Sequence, residues 1–271
     1  MTSDVLLVGA GDLGADIGLR LAALGHDVAA IRRRAELVPA PLHGVSADLT
    51  QETPQLPPLD LGLLVVALTA RPRSEESYRA TYVDGMLRAL DAVDAAGQVP
   101  ARAVLISSTA VHGDAGPDPI IDETTSVAPT DGPGRMLVEA ERTFLERVPS
   151  GTVLRLSGLY RSDSTRLLDQ VREGRITDPH RWTNRIHRDD AADAAVHLLT
   201  RPEHPENLYL GTDDEPTQLG DVGAFLAERL GVSPPEPADP AQGHGKRISN
   251  ARLRASGWTP RFPTYREGYA V

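Results

Sequence analysis

The hydrophobic positions fall into short blocks that alternate between two periods. Val5-Leu6-Leu7-Val8 is a continuous apolar run, as expected of a strand buried on both faces. After Gly9-Ala10-Gly11-Asp12-Leu13-Gly14 the period lengthens. Leu13, Ile17, Leu21 and Leu24 recur at helical spacing, and Gly25 stands where a helix C-cap glycine belongs. The alternation continues, predicting strands over 28–31, about 42–45, 63–67, 103–106 and 152–156. A proline-rich loop, 53–58, precedes the fourth strand; long helices are predicted over 78–96 and 135–147, with a polar loop at 113–134 between them. This order predicts an α/β fold, a doubly wound parallel sheet with helices on both faces and right-handed crossovers. Its ligand crevice opens at the carboxyl ends of the strands, where strand order reverses.

Beyond residue 156 the pattern loosens. A short helix is predicted over 167–173, and Ile186-His187-Arg188-Asp189-Asp190 leads into an alanine-rich helix over 191–199. A strand follows at 207–210, then an amphipathic helix at 218–230 ended by Gly231, a linker at 233–242, and a last short helix capped by Ser249 and stopped at Gly257. We expect residues 1–157 to form the sheet domain. Residues 158–271 form a small substrate lobe, partly interleaved with it, that completes a cleft.

The first turn carries chemistry. Its spacing is G-x-G-x-x-G between a strand and a helix, the pattern of a dinucleotide site. Gly9 makes the tight turn, Gly11 lets a pyrophosphate approach the backbone, and Gly14 lets helix pack on strand. Asp12 and Leu13 lie in the same turn, at the helix N-terminus, whose free N–H groups suit phosphate. The alternative is a tight turn that binds nothing. An NAD-specific site places a carboxylate at the end of the second strand. Here that place holds Arg32, with Arg33 and Arg34 behind it, and a guanidinium can bind a 2′-phosphate bidentately. The expected cofactor is NADP(H), with NAD as the alternative.

Composition narrows the picture. A net charge of −10 over 271 residues argues against nucleic acid or anionic membranes as partners. No apolar run reaches transmembrane length, and the chain opens directly into a strand with no targeting segment, so a cytoplasmic protein is expected. Cysteine is absent, which excludes thiol chemistry. Lys246 is the only lysine, and it lies in a glycine-rich segment far from any predicted site. No His-rich metal spacing occurs, so no metal is expected.

Several stretches resemble the extended and atypical short-chain dehydrogenase/reductases, the NAD-dependent epimerase/dehydratase family. They are Gly9 to Gly14, Ala47-Asp48-Leu49, Ser107-Ser108-Thr109-Ala110-Val111-His112-Gly113, Leu154 to Tyr160, Asn184 to Asp190, Asn207 to Asp213, and the closing Lys246 to Arg252 with Gly257-Trp258. The resemblance covers nearly the whole chain and implies a Rossmann-type fold. It also implies that Asp48, with Leu49 beside it, contacts adenine, that Ala67, Leu68 and Thr69 lie along the ribose, and that Ser107 lies by the cofactor. Ser108 matches the serine that bonds the reacting oxygen. Asp48 and Ser108 can equally be read as turn residues.

The same resemblance exposes a departure. The family's Tyr-x-x-x-Lys pair falls on Asp131 and Arg135, judged by the distance to Glu139. Arg135 can hold a ribose hydroxyl and keep the local field positive, but it does not give up a proton. Asp131 reads best as a turn residue before Gly132-Pro133. The family's helix Asn corresponds to Tyr82. We expect His112 to be the replacement proton donor, with Tyr82 or Tyr160 behind it; His187 is read as structural. The expected activity is that of an oxidoreductase or epimerase-like enzyme moving hydride on a small hydroxyl or carbonyl compound. The rival is a non-catalytic NADP(H)-binding sensor. Family members pair through two long helices, here 78–96 and 135–147, so a homodimer is an open option.

Overall fold

The computed structural model describes residues 4–113, 119–200 and 205–269; part of the predicted 113–134 loop lies outside them. In chain order the strands are β1 (Asp4–Val8), β2 (Val28–Arg32), β3 (His43–Ser46), β4 (Leu61–Val66), β5 (Arg102–Ser108), β6 (Ile120–Ile121), β7 (Gly151–Leu156), β8 (Gly158–Tyr160), β9 (Trp182–Thr183), β10 (Arg185–His187), β11 (Leu208–Gly211), β12 (Thr217–Gln218) and β13 (Arg247–Ile248). The α-helices are α1 (Asp12–Ala23), α2 (Glu75–Tyr78), α3 (Met86–Ala95), α4 (Gly132–Arg147), α5 (Thr165–Arg172), α6 (Arg188–Thr200), α7 (Leu219–Leu230), α8 (Ala251–Ala255) and α9 (Tyr265–Gly268).

Seven strands form one sheet in the order β11-β7-β5-β4-β1-β2-β3. β1 pairs in parallel with β2 and β4, β2 with β3, and β4 with β5. The chain therefore runs outward from β1 to β3, then returns to the other side of β1 as β4. Strand order reverses between β1 and β4, and the crevice that ligands use in such sheets lies at that reversal. The apolar runs explain the layering. Leu6, Leu7 and Val8 of β1 and Leu64, Val65 and Val66 of β4 are fully buried, so both faces of each strand are covered. One face packs on Met86, Leu90, Val93 and Phe144, which α3 and α4 supply at helical spacing. Ile17 and Leu21 of α1 are buried, and Gly25 ends that helix region with φ +91°.

The helix predicted over 78–96 is built differently. It begins at Glu75, where the Ser74 side chain accepts from Ser77 N, and its middle, Arg79–Gly85, is a π-helical stretch. A 3.6-residue period cannot reveal an i→i+5 turn, and such turns gather at functional sites.

The chain divides into two compact units that interleave. One comprises residues 1–113, 129–155 and 192–209, the other 114–128, 156–191 and 210–271. In the second unit Tyr160, Leu168, Val222, Leu226, Tyr265 and Tyr269 form a core. Asp190 fastens its last segment by accepting from the N–H groups of Arg261 and Phe262 at 2.7 and 2.9 Å. Asn184 accepts from Ile248 N and donates to Lys246 O, anchoring β13.

Asp213 is the unusual acid of this unit. It is 1% exposed, Oδ1 accepts from Glu215 N at 3.3 Å, and Oδ2 has no hydrogen-bond partner among the described residues. Burial pushes its carboxyl up to about 8, against the opposing field of Arg185. A raised carboxyl binds its proton more tightly when folded. Its stabilisation is complete below the ordinary carboxyl range and is lost as pH climbs to about 8. Denaturant midpoints measured from pH 5 to 8 will fall less steeply in Asp213→Asn than in the parent. Equal slopes would show that Asp213 is ionised throughout.

Candidate functional site

The turn after β1 sits at the strand-order reversal. Gly9 has φ +100°, a left-handed conformation that favours glycine, and a Cβ there would lie 2.6 Å from Ala67 O at the end of β4. A Cβ on Gly14 would collide with Gly9 O, so α1 starts directly against the turn. Gly11 is different. It is the N-cap of α1, with ordinary backbone angles and no side-chain cap, and a Cβ there meets nothing within 4 Å. The first and last glycines are thus required by the chain's own packing, while the middle one faces open space at a helix N-terminus.

The neighbouring strand ends carry the other expected residues. Arg32 closes β2, and its Nη1 donates to Leu37 O at 3.0 Å; Arg33 and Arg34 are exposed. Asp48 is a turn cap: Oδ1 accepts from Thr50 N and Thr50 Oγ1, and these bonds hold its carboxyl below the usual range. Leu49 is buried, and its carbonyl accepts from Arg88 Nη1 at 2.8 Å. Ala67 is buried, Leu68 half-buried and Thr69 exposed, so the chain emerges from the sheet just beyond the Gly9 contact.

At the end of β5, Ser108 caps the following short turn by accepting from Ala110 N. Ser107 turns inward, and Oγ donates to Glu141 Oε1 at 2.5 Å, so its side chain serves the core rather than a cofactor surface. Glu141 on α4 and Arg155 on β7 form a fork-to-fork pair, with Nε and Nη2 of the guanidinium on both carboxylate oxygens at 2.7–3.2 Å. Arg155 Nη1 lies 3.2 Å from His112 Nε2. A guanidinium only donates, so Nε2 accepts, which places the ring proton on Nδ1. His112 is 1% exposed and Nε2 is occupied. The expected proton donor is thus a buried histidine whose Nε2 faces Arg155.

Sequence reasoning missed the Glu141–Arg155 pair, although signals exist. Arg155 interrupts the apolar run Val153-Leu154 to Leu156 of β7, and Glu141 falls on the apolar face of α4, four residues after Leu137 and three before Phe144. A charge in either place must be paired.

The start of α4 forms a polar rim. Asp131 is its N-cap: Oδ1 accepts from Gly134 N at 2.7 Å and Oδ2 pairs with Arg73 at 2.5 Å. The Gly134 N–H bond leads in holding its carboxyl below the usual range, so it is an ionised cap and not a proton donor. Arg135 pairs with Glu75 at 2.8 Å and Arg79 with Glu139 at 2.6 Å. Tyr82, on the π stretch, is half-buried, and its phenol is pushed up to about 12, chiefly by burial. Tyr160, the other expected phenol, lies in the second unit. It is 6% exposed in the second unit's core, against Tyr269 at 4.5 Å and His187 at 5.3 Å, and burial pushes its phenol up. His187 is also core: it packs on Phe262 at 4.0 Å, and burial pulls its imidazole down. Among the described residues no group of acids and histidines could hold a metal ion, and no helix is long and apolar enough to cross a membrane.

A model of the NAD dependent epimerase/dehydratase family matches residues 5–211. The chain belongs to that family. It is 33% identical to a Methylobacillus flagellatus protein whose assignment as an NAD-dependent epimerase/dehydratase is itself provisional, over 99% of this chain and 97% of that one, with a TM-score of 0.83. A functionally unknown conserved protein from Silicibacter pomeroyi is 27% identical over 99% and 97%, with a TM-score of 0.75. The UDP-glucose 4-epimerase of Thermus thermophilus, solved as a complex with NAD, shares the fold at 19% identity, over 98% and 96%, with a TM-score of 0.74. A comparison with curated proteins finds no match.

Within that family's fold, the Glu141–Arg155 pair ties α4 to β7 under the turn that bears Ser108. Removing one partner of such a buried pair costs about 3–5 kcal/mol, because the other charge is stranded. Urea unfolding of Arg155→Met will show a loss of that order, and adding Glu141→Leu will restore more than half of it. A double variant no more stable than Arg155→Met would show that the stranded charge is not the cause.

Proposed function

We propose that this family member binds NADP(H) in the Gly9–Gly14 turn and moves hydride between it and a small hydroxyl or carbonyl compound, such as a sugar derivative. The observation that carries the reading is Gly11: at the head of α1, where strand order reverses, its side-chain direction is open. The residues present fit a dinucleotide. Backbone N–H groups of Gly11, Asp12 and Leu13 would hold the pyrophosphate. Asp48, Leu49 and the 67–69 segment would flank the adenosine, and Ser108 and Arg135 the nicotinamide end. When bound, the cofactor supplies or accepts the hydride. Ser108 would hydrogen-bond the reacting oxygen.

Arg32 supports the 2′-phosphate form. It ends β2, where a carboxylate would otherwise meet the ribose, and its bond to Leu37 O holds the guanidinium there. A cytoplasmic, homodimeric protein completes the proposal. The sensor reading draws on Asp131 and Arg135, both engaged in cap or ion-pair contacts rather than in an acid pair.

Titration calorimetry tests the site. NADPH will bind at least tenfold more tightly than NADH, and Arg32→Glu will remove that preference. Gly11→Val will abolish binding of both while leaving the thermal midpoint nearly unchanged. Equal affinities in the parent would overturn the 2′-phosphate assignment, and a Gly11→Val protein that still binds would overturn the site. Binding without turnover of any hydroxyl or carbonyl compound would favour the sensor.

A further inference from the structure

Reduction of a carbonyl needs a proton as well as a hydride, because the oxygen keeps both electrons of the broken π bond. The carboxyl ends of β1, β4 and β5 offer few donors. Asp131 is an ionised cap, Arg135 is paired with Glu75, His112 Nε2 accepts from Arg155, and Tyr82 is half-buried with its phenol pushed up to about 12, chiefly by burial. Tyr78, four residues earlier on the same segment, is the phenol with a cation beside its oxygen. It is half-buried at the end of α2, on the segment that leaves β4 beside the Gly9 contact.

Its surroundings suit proton transfer. Arg73 Nη1 lies 3.4 Å from Tyr78 Oη, and the guanidinium carbon stands 5.8 Å from the ring centre. The Tyr82 ring lies 5.1 Å away, tilted by 44°. Arg73 is itself held by Asp131 Oδ2 at 2.5 Å. That pair reaches the Ser108 turn, because a Cβ on Gly134 would lie 3.0 Å from Asp131 Oδ1 and 3.6 Å from Ala110 O. Ala110 N in turn bonds Ser108 Oγ. Ser108, Asp131, Arg73 and Tyr78 therefore follow one another along a single rim within the first unit.

We propose that Tyr78 is the catalytic phenol of this protein, with Arg73, anchored by Asp131, as its positioning residue; the proposal rests on the cofactor reading above. In the reducing direction the hydride forms the new C–H bond and the C=O π pair stays on oxygen. The proton passes from Tyr78 Oη to that oxygen, leaving a phenolate beside the Arg73 charge, and water restores it. The nicotinamide is oxidised and the carbonyl reduced. In the oxidising direction the phenolate takes the hydroxyl proton.

Nitration by tetranitromethane, followed by peptide mass, tests the placement without a substrate. Saturating NADPH will slow nitration of Tyr78 at least threefold. 2′-Phospho-ADP-ribose, which lacks the nicotinamide, will leave it unchanged. In a second arm, NADPH-dependent reduction of 9,10-phenanthrenequinone will fall about 100-fold in Tyr78→Phe with the NADPH Kd within twofold of the parent, a loss typical of a missing general acid. Tyr78 nitrating equally under both bound ligands, or Tyr78→Phe keeping the parent's quinone activity, would overturn the proposal. If the parent does not reduce the quinone, the nitration arm decides. If neither nucleotide binds, the cofactor reading itself has failed and the Tyr78 role falls with it.

Discussion

The carboxyl edge of the sheet depends on one close approach, that of the first turn to the end of β4. Gly9 lies where any side chain would strike Ala67 O, and Gly14 lies where any side chain would strike Gly9 O. Two backbone segments and a helix start can share this space only if both residues lack a Cβ. With them in place, α1 points its N-terminus across the strand-order reversal, and Gly11 is left facing outward. The site is therefore a by-product of packing: the glycines that the fold requires also clear the ground that a phosphate needs.

A second constraint acts below the edge. Arg155 is charged and inside a fully buried strand, so it needs a carboxylate with matched geometry, which Glu141 supplies. The same guanidinium takes up His112 Nε2, and the same carboxylate takes up Ser107 Oγ. Two polar residues of the Ser107–Gly113 stretch are thereby committed to the interior, and Ser108 is the one whose side chain stays at the surface turn. The phenol proposed as proton donor therefore lies not at the β5 end but on the segment after β4. That segment carries a π-helical stretch, and Tyr78 and Tyr82, four residues apart, bring their rings to 5.1 Å with a 44° tilt.

Much of this was legible in the sequence. The Val5–Val8 run, the glycine spacing and the Leu13-Ile17-Leu21 series state a strand, a turn and a helix through hydrophobic period and glycine placement alone. Asp131 before Gly132-Pro133 reads as a turn residue with the helix starting at 135, whereas it caps α4, which starts at Gly132. The buried network was harder to see. Arg155 and Glu141 lie on elements whose apolar period dominates, and only their mutual distance gives them meaning. The π turn leaves no periodic trace. His112 reads as a donor or a packing residue because neither adjacent residue is charged, whereas its partner Arg155 is 43 residues away. Tyr78 went unnoticed because Arg73 and Asp131, which give it context, come together only in three dimensions.

The most direct test of this account is a crystal structure of the protein grown with NADPH. The account predicts the pyrophosphate against the backbone of Gly11 to Leu13, the 2′-phosphate at Arg32, and the nicotinamide on the Ser108 side of the rim. A dinucleotide found elsewhere on the chain, or one lying at the turn with its nicotinamide directed away from Ser108, would contradict it.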